Sequence, residues 1–226
     1  MSDTLEYYSA TRPEVANFLP PPSESSRILE IGCGVGNFRN NITHQCEYWG
    51  IEPFPDAAAI ASTRLDKVLV GTVEEVFDSI PNDYFDCVVC ADVIEHMDDP
   101  DWFFQSIKVK MKKHSFIIAS IPNVRYVTNL YKLFFEKDWE YVQAGTLDKT
   151  HLRFFTEKSL KRTIKMNGYL IDEFRGINAI EVSARTFMYL VFTLLTKVIC
   201  PLIGRDTKFF QFGFRIIPQE IKNNTD

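Results

Sequence analysis

The stretch LEIGCGVGNF, residues 29–38, places three glycines at alternate positions directly after an apolar run. Glycine loses more backbone freedom on folding than any other residue, so this concentration points to a backbone requirement. A tight turn from a strand into a helix meets that description, because it brings backbone N–H groups close to a ligand. We therefore predict a ligand-binding loop at Gly32, Gly34 and Gly36.

An acidic residue strengthens this prediction. Glu52 ends the next apolar run, CEYWGIE, and lies 20 residues beyond Gly32. In α/β nucleotide-binding folds, a carboxylate at this place holds ribose hydroxyls. The glycine spacing differs from G-x-G-x-x-G, which leads a pyrophosphate to a helix N-terminus, and it suits a ligand without phosphates. A purely structural role for Glu52, as a cap on the following PFPDAAA, is the alternative.

Apolar runs alternate with helical patterns along most of the chain. These runs lack a polar–apolar alternation, which is typical of a parallel sheet covered on both faces. We predict an α/β fold of the Rossmann-like, doubly wound type, with a mainly parallel seven-stranded sheet and a helical, aromatic-rich insertion after the fifth strand. An antiparallel direction is considered for the last strand. The strands are predicted at residues 26–32, 46–52, 66–71, 84–92, 115–122, 169–177 and 209–218.

The composition argues against several classes of function. The formal net charge is −5 and the sequence pI is about 5.5, whereas a nucleic-acid binder carries a basic face. We therefore expect no nucleic-acid partner. Five cysteines and no signal-peptide pattern indicate reduced thiols and a cytoplasmic protein. Cys87 and Cys90 form a C-x-x-C pair, but side chains three apart on a strand point to opposite faces, so neither a disulfide nor a metal site is expected there.

The most apolar stretch, residues 187–203, raises the question of a membrane. It is shorter than the ~20 residues that span a bilayer, and Lys197 and Pro201 interrupt it. We predict that residues 182–203 form a buried or lid helix. Membrane contact through residues 187–203 is the less favoured alternative, and a homodimer contact is left open.

Four stretches together resemble successive motifs of class I S-adenosylmethionine-dependent methyltransferases. They are ILEIGCGVGNF, YWGIEPFPDAA, FDCVVCADVIEHMDDP and THLRFFTEKSLKRTIKMNGY. The order of elements fits nearly the whole chain. The part from SIPNVR to GTLDKTHLRFFT is further similar to a bacterial branch associated with surface-polysaccharide and glycan biosynthesis. The resemblance implies S-adenosyl-L-methionine as the cofactor and a small-molecule acceptor.

The resemblance also implies roles for individual residues. Glu30 would orient the ammonium group of the donor, and Glu52 would take its two ribose hydroxyls. Thr72 stands where relatives commonly have an aspartate that contacts the adenine amino group, and Glu74 is a substitute contact. The predicted cofactor-binding residues are Glu30, Gly32, Cys33, Gly34, Gly36, Glu52, Pro53, Phe54, Thr72, Val73, Cys90, Ala91, Asp92 and, from an N-terminal segment closing over the donor, Tyr8 and Arg12.

Transfer to a hydroxyl requires loss of its proton, and histidine is the usual base near neutral pH. His96 and His151 follow elements that reach the carboxyl edge of the sheet, where ligands bind. His44 and His114 precede strands and lie at the other edge. We predict His151 or His96 as the catalytic base, with a structural or substrate-orienting role as the alternative for each. Asp148 and His151 are too few ligands for a metal, so none is predicted.

Residues 123–155 are predicted to cover the acceptor. Their aromatic side chains, Trp139 and Tyr141 among them, either stack on the acceptor or pack on one another. The predicted substrate-binding residues are Asn123, Arg125, Tyr126 and Arg153. We divide a single methyltransferase domain, residues 1–226, into an N-terminal cap (1–26), a donor-binding half (27–122), this insertion and a C-terminal half (156–226).

The sequence leads us to expect a cytoplasmic enzyme that methylates a hydroxyl of a sugar or glycan precursor. One alternative is methylation of an amine or a quinone-type phenol on another small metabolite. Another is a non-catalytic protein that retains the donor pocket. A nicotinamide-dependent oxidoreductase is disfavoured by the glycine spacing.

Overall fold

The computed structural model describes residues 11–21, 26–179, 197 and 200–219. Seven strands form one sheet in the order β3-β2-β1-β4-β5-β7-β6. Strands β1 to β5 are parallel, and β7 runs antiparallel to both β5 and β6. The predicted Rossmann-like sheet of seven strands is confirmed, and it is mixed because its last strand is antiparallel. The strands are β1 (Ser26–Ile31), β2 (Cys46–Glu52), β3 (Lys67–Val70), β4 (Phe85–Ala91), β5 (Met111–Pro122), β6 (Tyr169–Ala179) and β7 (Phe209–Pro218).

Short helices connect the strands. The longest that the structure describes begins after Thr156, whose hydroxyl accepts from the backbone N–H of Ser159 as an N-cap. The predicted insertion after β5 contains a helix and a π-helical turn, Lys132–Glu136. The α-helices are α1 (Pro13–Ala16), α2 (Pro55–Ala61), α3 (Val73–Val76), α4 (Pro100–Ser106), α5 (Val127–Tyr131), α6 (Glu157–Met166) and α7 (Cys200–Ile203), and 3₁₀ turns cover Asn37–Asn41, Phe77–Ser79, Ile94–His96, Ile107–Lys110 and Arg205–Lys208.

Two apolar layers cover the sheet. One contains Cys90 and the inward side of α6, and the other contains Cys87 and the inward side of α1. The two cysteines of the C-x-x-C pair therefore face opposite sides of β4, as the strand geometry predicts. Both thiols are free and buried.

The strand order reverses direction beside β1, because the chain adds β2 and β3 on one side and β4 and β5 on the other. Such a switch point leaves a crevice at the carboxyl ends of the strands, and ligands bind there in open α/β sheets. The glycine turn follows β1 at this edge.

The turn after β1 has a left-handed backbone. The φ angles of Gly32, Gly34 and Gly36 are 67°, 53° and 80°, a region that glycine occupies without a steric penalty. A Cβ atom on Gly32 would lie 2.7 Å from Cγ2 of Val93. The glycines are therefore required by the turn and by its packing on the segment after β4, in addition to the ligand access that the sequence suggests.

Two sequence predictions fall outside the described residues. Tyr8 is one, and the predicted apolar helix 182–203 is the other, apart from Lys197 and the short helix α7 at its end. Among the described residues, no helix is both long and apolar enough to cross a bilayer.

The close contact at Gly32 gives a stability prediction. We expect Gly32→Ala to lower the free energy of unfolding by about 1–3 kcal/mol, because it adds a left-handed alanine and a clash with Val93. Val93→Ala should remove the clash, so the double variant should lose less stability than the two single variants together. Chemical denaturation measures all three, and strictly additive losses would contradict the contact.

Candidate active site

A cleft of about 930 Å³ opens at the carboxyl ends of β1, β2 and β4. Its size is within the range of small-molecule and cofactor sites. Twelve of the predicted cofactor-binding residues line it: Arg12, Glu30, Gly32, Cys33, Gly34, Glu52, Pro53, Phe54, Thr72, Val73, Ala91 and Asp92. The structure therefore assembles one pocket from turns that are far apart in the sequence.

Glu52 links the turn after β1 to the end of β2. Its carboxylate is 2% exposed and accepts from the N–H of Gly34 at 2.7 Å and from the N–H of Phe54 at 3.1 Å. Burial raises the pKa of Glu52, and the two backbone donors oppose that shift. A carboxylate oxygen has two acceptor positions, so each oxygen keeps one for a ligand hydroxyl.

Glu30 lies at the floor of the cleft, at the end of β1. Its carboxyl group is buried and accepts from the phenol hydroxyl of Tyr48 at 2.9 Å. Burial raises the pKa of Glu30 from 4.5 to about 8, while Tyr48 opposes the rise and Glu52 adds to it. A bound cation would favour the ionised form and lower that pKa again.

Asp92 is held by the protein on both oxygens. Oδ1 accepts from Ser120 at 2.8 Å, and Oδ2 accepts from Gln211 and pairs with Arg12, both at 2.6 Å. Its φ of 56° places it in the left-handed region, which aspartate tolerates better than most residues. Arg12 lines the cleft with its guanidinium paired to Asp92, and its contact with the donor stays a prediction.

Two predicted cofactor-binding residues are not part of the cleft lining. Gly36 precedes the 3₁₀ turn at Asn37–Asn41, and a Cβ there would lie 3.3 Å from Leu65. Cys90 points into the apolar layer on α6. Both residues serve packing, because the turn leaves the cleft after Gly34 and because Ala91, rather than Cys90, faces the cleft.

Thr72 lines the cleft and also begins α3. Its hydroxyl accepts from the N–H of Glu75 at 3.4 Å, and the Glu75 carboxylate accepts from the N–H of Thr72 at 2.8 Å. This reciprocal pair is a capping box. The adenine contact expected of Thr72 stays a prediction, and Glu74 lies beside it in the cleft wall.

The two predicted catalytic histidines contact one another beside the cleft. The ring centroids of His96 and His151 are 4.7 Å apart, and His96 lines the cleft. The N–H groups of Leu152 and Arg153 both donate to the carbonyl oxygen of Glu95, at 2.9 and 3.0 Å. These bonds hold the loop that carries His151 against the turn that carries His96.

Backbone carbonyls determine which ring nitrogens are available. Nδ1 of His96 lies 3.1 Å from the carbonyl oxygen of Thr150, and Nδ1 of His151 lies 3.4 Å from that of Thr146. A carbonyl oxygen only accepts, so in the neutral rings we assign the proton to Nδ1. Nε2 of each ring is then a free proton acceptor or metal ligand.

Glu95 completes this cluster. It is 1% exposed, and neither carboxyl oxygen has a hydrogen-bond partner among the described residues. Oε1 lies 3.9 Å from Nε2 of His151. Burial, followed by the charge of Asp92, raises the pKa of Glu95 well above its usual value. Burial, followed by the neighbouring His96, lowers the pKa of His151, so burial disfavours the charged form of both groups.

The same cluster has the donor set of a divalent-cation site. Glu95, His96 and His151 each offer one ligating atom, and these atoms lie within 4.8 Å of one another. Metal-bound histidines usually donate their second ring N–H to a backbone carbonyl, as both rings do here. The prediction of no metal weighed only Asp148 and His151. Asp148 instead accepts from the N–H and hydroxyl of Thr150 and shapes the loop.

The four predicted substrate-binding residues lie elsewhere. Asn123 is buried and donates to the carbonyl oxygens of Asp206 and Phe209 at 2.9 and 3.0 Å. Arg125 pairs with Asp206 at 2.7 Å, and Tyr126 packs edge-on against Phe210. Arg153 donates to the carbonyl oxygen of Asp98 at 2.5 Å. Each side chain has a partner within the protein and none lines the cleft, so these four substrate contacts stay predictions.

One wall of the cleft is formed by a loop within the predicted insertion, residues 123–155, in which the sequence singled out Asp148 but not its neighbours. The loop has an irregular backbone, so no sequence periodicity marks which of its residues face the cleft. Trp139 and Tyr141 pack against Phe154, which matches the packing alternative for the aromatic insertion. The loop residues that line the cleft are Gln143, Ala144, Asp148, Lys149 and Thr150, and Phe38 and Met97 were also missed.

Comparison with known proteins identifies the family. Residues 5–173 match a family model described as a methyltransferase domain. The chain belongs to this family. The predicted class of S-adenosylmethionine-dependent methyltransferases is thereby confirmed at the level of the family. The finer similarity to a glycan-biosynthesis branch finds no support in the relatives below.

Curated relatives of this methyltransferase are ubiquinone biosynthesis O-methyltransferases. It is 26% identical over 159 residues to the mitochondrial one of Schizosaccharomyces pombe, covering 67% of this chain and 57% of that protein. It is 27% identical over 165 residues to that of Azorhizobium caulinodans, covering 69% of this chain and 63% of that protein. The chain thus spans about three fifths of these relatives' length.

Solved structures share the fold. A SAM-dependent methyltransferase from Archaeoglobus fulgidus has a TM-score of 0.61 at 18% identity, covering 94% of this chain and 93% of that one. A possible histamine N-methyltransferase from Thermotoga maritima has a TM-score of 0.61 at 19% identity, covering 96% of this chain and 91% of that one. At this identity, the likeness supports the architecture alone.

The buried carboxyl of Glu30 predicts a pH-dependent stability. Burial raises its pKa from 4.5 to about 8 in the folded chain, so between these values the folded protein keeps a proton that the unfolded chain releases. This contribution to stability is present below about pH 4.5 and is lost as the pH rises towards about 8. We expect the melting temperature of the free protein to fall more steeply from about pH 5 to about pH 8 than that of Glu30→Gln. Equal slopes in a thermal-shift series would contradict the assignment.

Proposed function

We propose that this chain is an S-adenosylmethionine-dependent O-methyltransferase that acts on a phenol-type hydroxyl of a small molecule. The proposal rests on one observation: a single cleft joins the glycine turn and Glu52 to His96, whose Nε2 is a free acceptor. A donor site and a proton acceptor at opposite sides of one pocket are what hydroxyl methylation requires.

The donor side fits the cofactor that the family implies. Glu52 keeps free acceptor positions for a pair of hydroxyls, and the left-handed turn at Gly32 brings main-chain atoms to the pocket wall. Glu30 is a buried carboxyl group that a ligand ammonium would ionise. When bound, the cofactor supplies an activated methyl group, and the protein's contribution is to orient the acceptor.

The acceptor side can remove a proton in two ways. In the first, Nε2 of His96 takes the hydroxyl proton directly, while the carbonyl of Thr150 fixes the ring through Nδ1. In the second, Glu95, His96 and His151 would hold a divalent cation, which would supply Lewis-acid activation of the hydroxyl. Glu95 supports this second route, because neither of its carboxyl oxygens has a hydrogen-bond partner among the described residues and both are available to a cation.

A phenol is a better match for this site than a sugar hydroxyl. A phenol such as that of tyrosine ionises near pH 10, and an alcohol is less acidic. Proton transfer to a histidine near neutrality is therefore easier from a phenol. The two curated relatives named above are ubiquinone biosynthesis O-methyltransferases, which favours the same choice over the sugar or glycan acceptor expected from the sequence. A cytoplasmic location stays a prediction.

The role of Glu52 has a direct binding test. We expect Glu52→Gln to weaken binding of S-adenosylhomocysteine by about 10- to 100-fold, because a carboxylate that accepts hydrogen bonds becomes an amide. Glu136→Gln is the control, since it removes an exposed carboxylate that does not line the cleft and leaves the Gly34 and Phe54 N–H groups untouched. Isothermal titration calorimetry measures both, and equal losses would contradict the proposed contact.

The role of His96 has a kinetic test. With labelled S-adenosylmethionine and a panel of catechols, sugars and amines, we expect methylation of a catechol hydroxyl. His96→Asn should reduce kcat by about 100-fold or more, with donor affinity unchanged. His114→Asn is the control, because His114 has a φ of 65° that asparagine tolerates. Methylation of amines alone, or full activity of His96→Asn, would contradict the proposal.

A chelator separates the two routes of proton removal. If His96 acts directly, exhaustive chelation leaves the wild-type rate unchanged. If a cation acts, chelation removes activity, added Mg²⁺, Mn²⁺ or Zn²⁺ restores it, and Glu95→Gln loses that response.

A further inference from the structure

A basic and apolar face lies on the opposite edge of the sheet from β3. A groove there runs between α6 and the segment that follows α7, and it is lined by Arg125, Lys158, Lys161, Arg162, Lys165 and Asp206. Met166 and Glu157 also border it. We call this groove, together with the exposed apolar side chains beside it, the α6 face.

The cations of the α6 face are in excess. Lys161 pairs with Glu157 at 2.6 Å and Arg125 with Asp206 at 2.7 Å. Lys158, Arg162 and Lys165 are exposed, and no ion pair joins them to any residue that the structure describes. Their positions repeat every three or four residues along α6, so they lie on one side of the helix. A chain with a net charge of −5 thus concentrates positive charge on one face.

Two large exposed apolar side chains border the groove. Met166 is 78% exposed and Leu202 is 80% exposed, and the carbonyl oxygen of Ile203 accepts from Arg125 at the groove. Met166 borders the groove and Leu202 precedes Ile203, so both exposed side chains lie next to the cations.

We infer that the α6 face docks on an anionic phospholipid bilayer. Isolated apolar side chains between unpaired lysines and arginines suit an interface where the apolar groups enter the acyl boundary and the cations meet phosphates. A symmetric contact between two copies would oppose the same cations to one another, which disfavours a dimer through this face. The inference stands independently of the proposed reaction, because none of these residues lines the active-site cleft.

Vesicle sedimentation with the full chain tests this inference. We expect binding to vesicles of phosphatidylcholine mixed with phosphatidylglycerol, weaker binding in high salt, and little binding to phosphatidylcholine alone. Neutralising three interfacial cations in Lys158→Gln/Arg162→Gln/Lys165→Gln should weaken binding by about 100-fold, at about fivefold per cation. Met166→Ser/Leu202→Ser should also weaken binding, and by a salt-independent factor.

Matched controls separate the face from general charge and hydrophobicity. Arg27→Gln/Lys67→Gln/Lys112→Gln removes three cations at the starts of β1, β3 and β5, and Val70→Ser/Val109→Ser removes two exposed apolar groups elsewhere. Both should bind vesicles like the wild type. Circular dichroism and melting temperature confirm that each variant is folded.

Four outcomes would overturn the inference. The first two are no binding to anionic vesicles and equal losses of binding in the control variants. The third is a dimer, detected by light scattering, that the α6-face substitutions abolish. The fourth is binding of inorganic phosphate or single-stranded DNA, but not of vesicles, that depends on Lys158, Arg162 and Lys165.

Discussion

The buried carboxylate of Glu52 is the interaction on which the site depends. It accepts from the N–H of Gly34 in one turn and from the N–H of Phe54 in the next, at 2.7 and 3.1 Å. Two loops from neighbouring parallel strands are thereby held at a fixed spacing. Because a buried polar group without partners is costly, a partially satisfied carboxylate also makes the pocket selective for a ligand that brings hydroxyl donors.

A second connection positions the acceptor side. The 3₁₀ turn after β4 carries Glu95 and His96, and the loop that carries His151 is held to it through the carbonyl oxygen of Glu95. Glu95 is buried, and neither of its carboxyl oxygens has a hydrogen-bond partner in the described part of the chain, which is a costly arrangement for a protein to keep. Because it lies beside His96 and His151, this carboxyl group is placed to exchange a proton or to bind a cation at the cleft.

The fold was predictable from the sequence because its signals are local. Continuous apolar runs predict β1, β2 and β4, and Thr156 predicts the start of α6. Most of the predicted donor-binding residues could be found for the same reason, since Glu30, Gly32 and Glu52 lie at the ends of strands. Gly36 and Cys90 fit the motif but not the cleft, because spacing alone does not tell which member of a turn faces inward.

The acceptor side was not predictable in the same way. Gln143 and Lys149 reach the cleft through a loop whose course depends on tertiary bonds, such as that from Leu152 N–H to Glu95. Asn123 and Arg125 look like substrate contacts in the sequence, yet they bind the chain between α7 and β7. That segment is some eighty residues away in sequence, so no local pattern reveals the pairing.

The most direct measurement of the central claim is an amide NMR titration with S-adenosylhomocysteine. The account predicts that the Gly34 and Phe54 amide protons resonate downfield in the free protein, because both donate to the Glu52 carboxylate, and that both shift together and saturate as the ligand occupies the remaining acceptor positions. Unchanged Gly34 and Phe54 signals at excess ligand would contradict it.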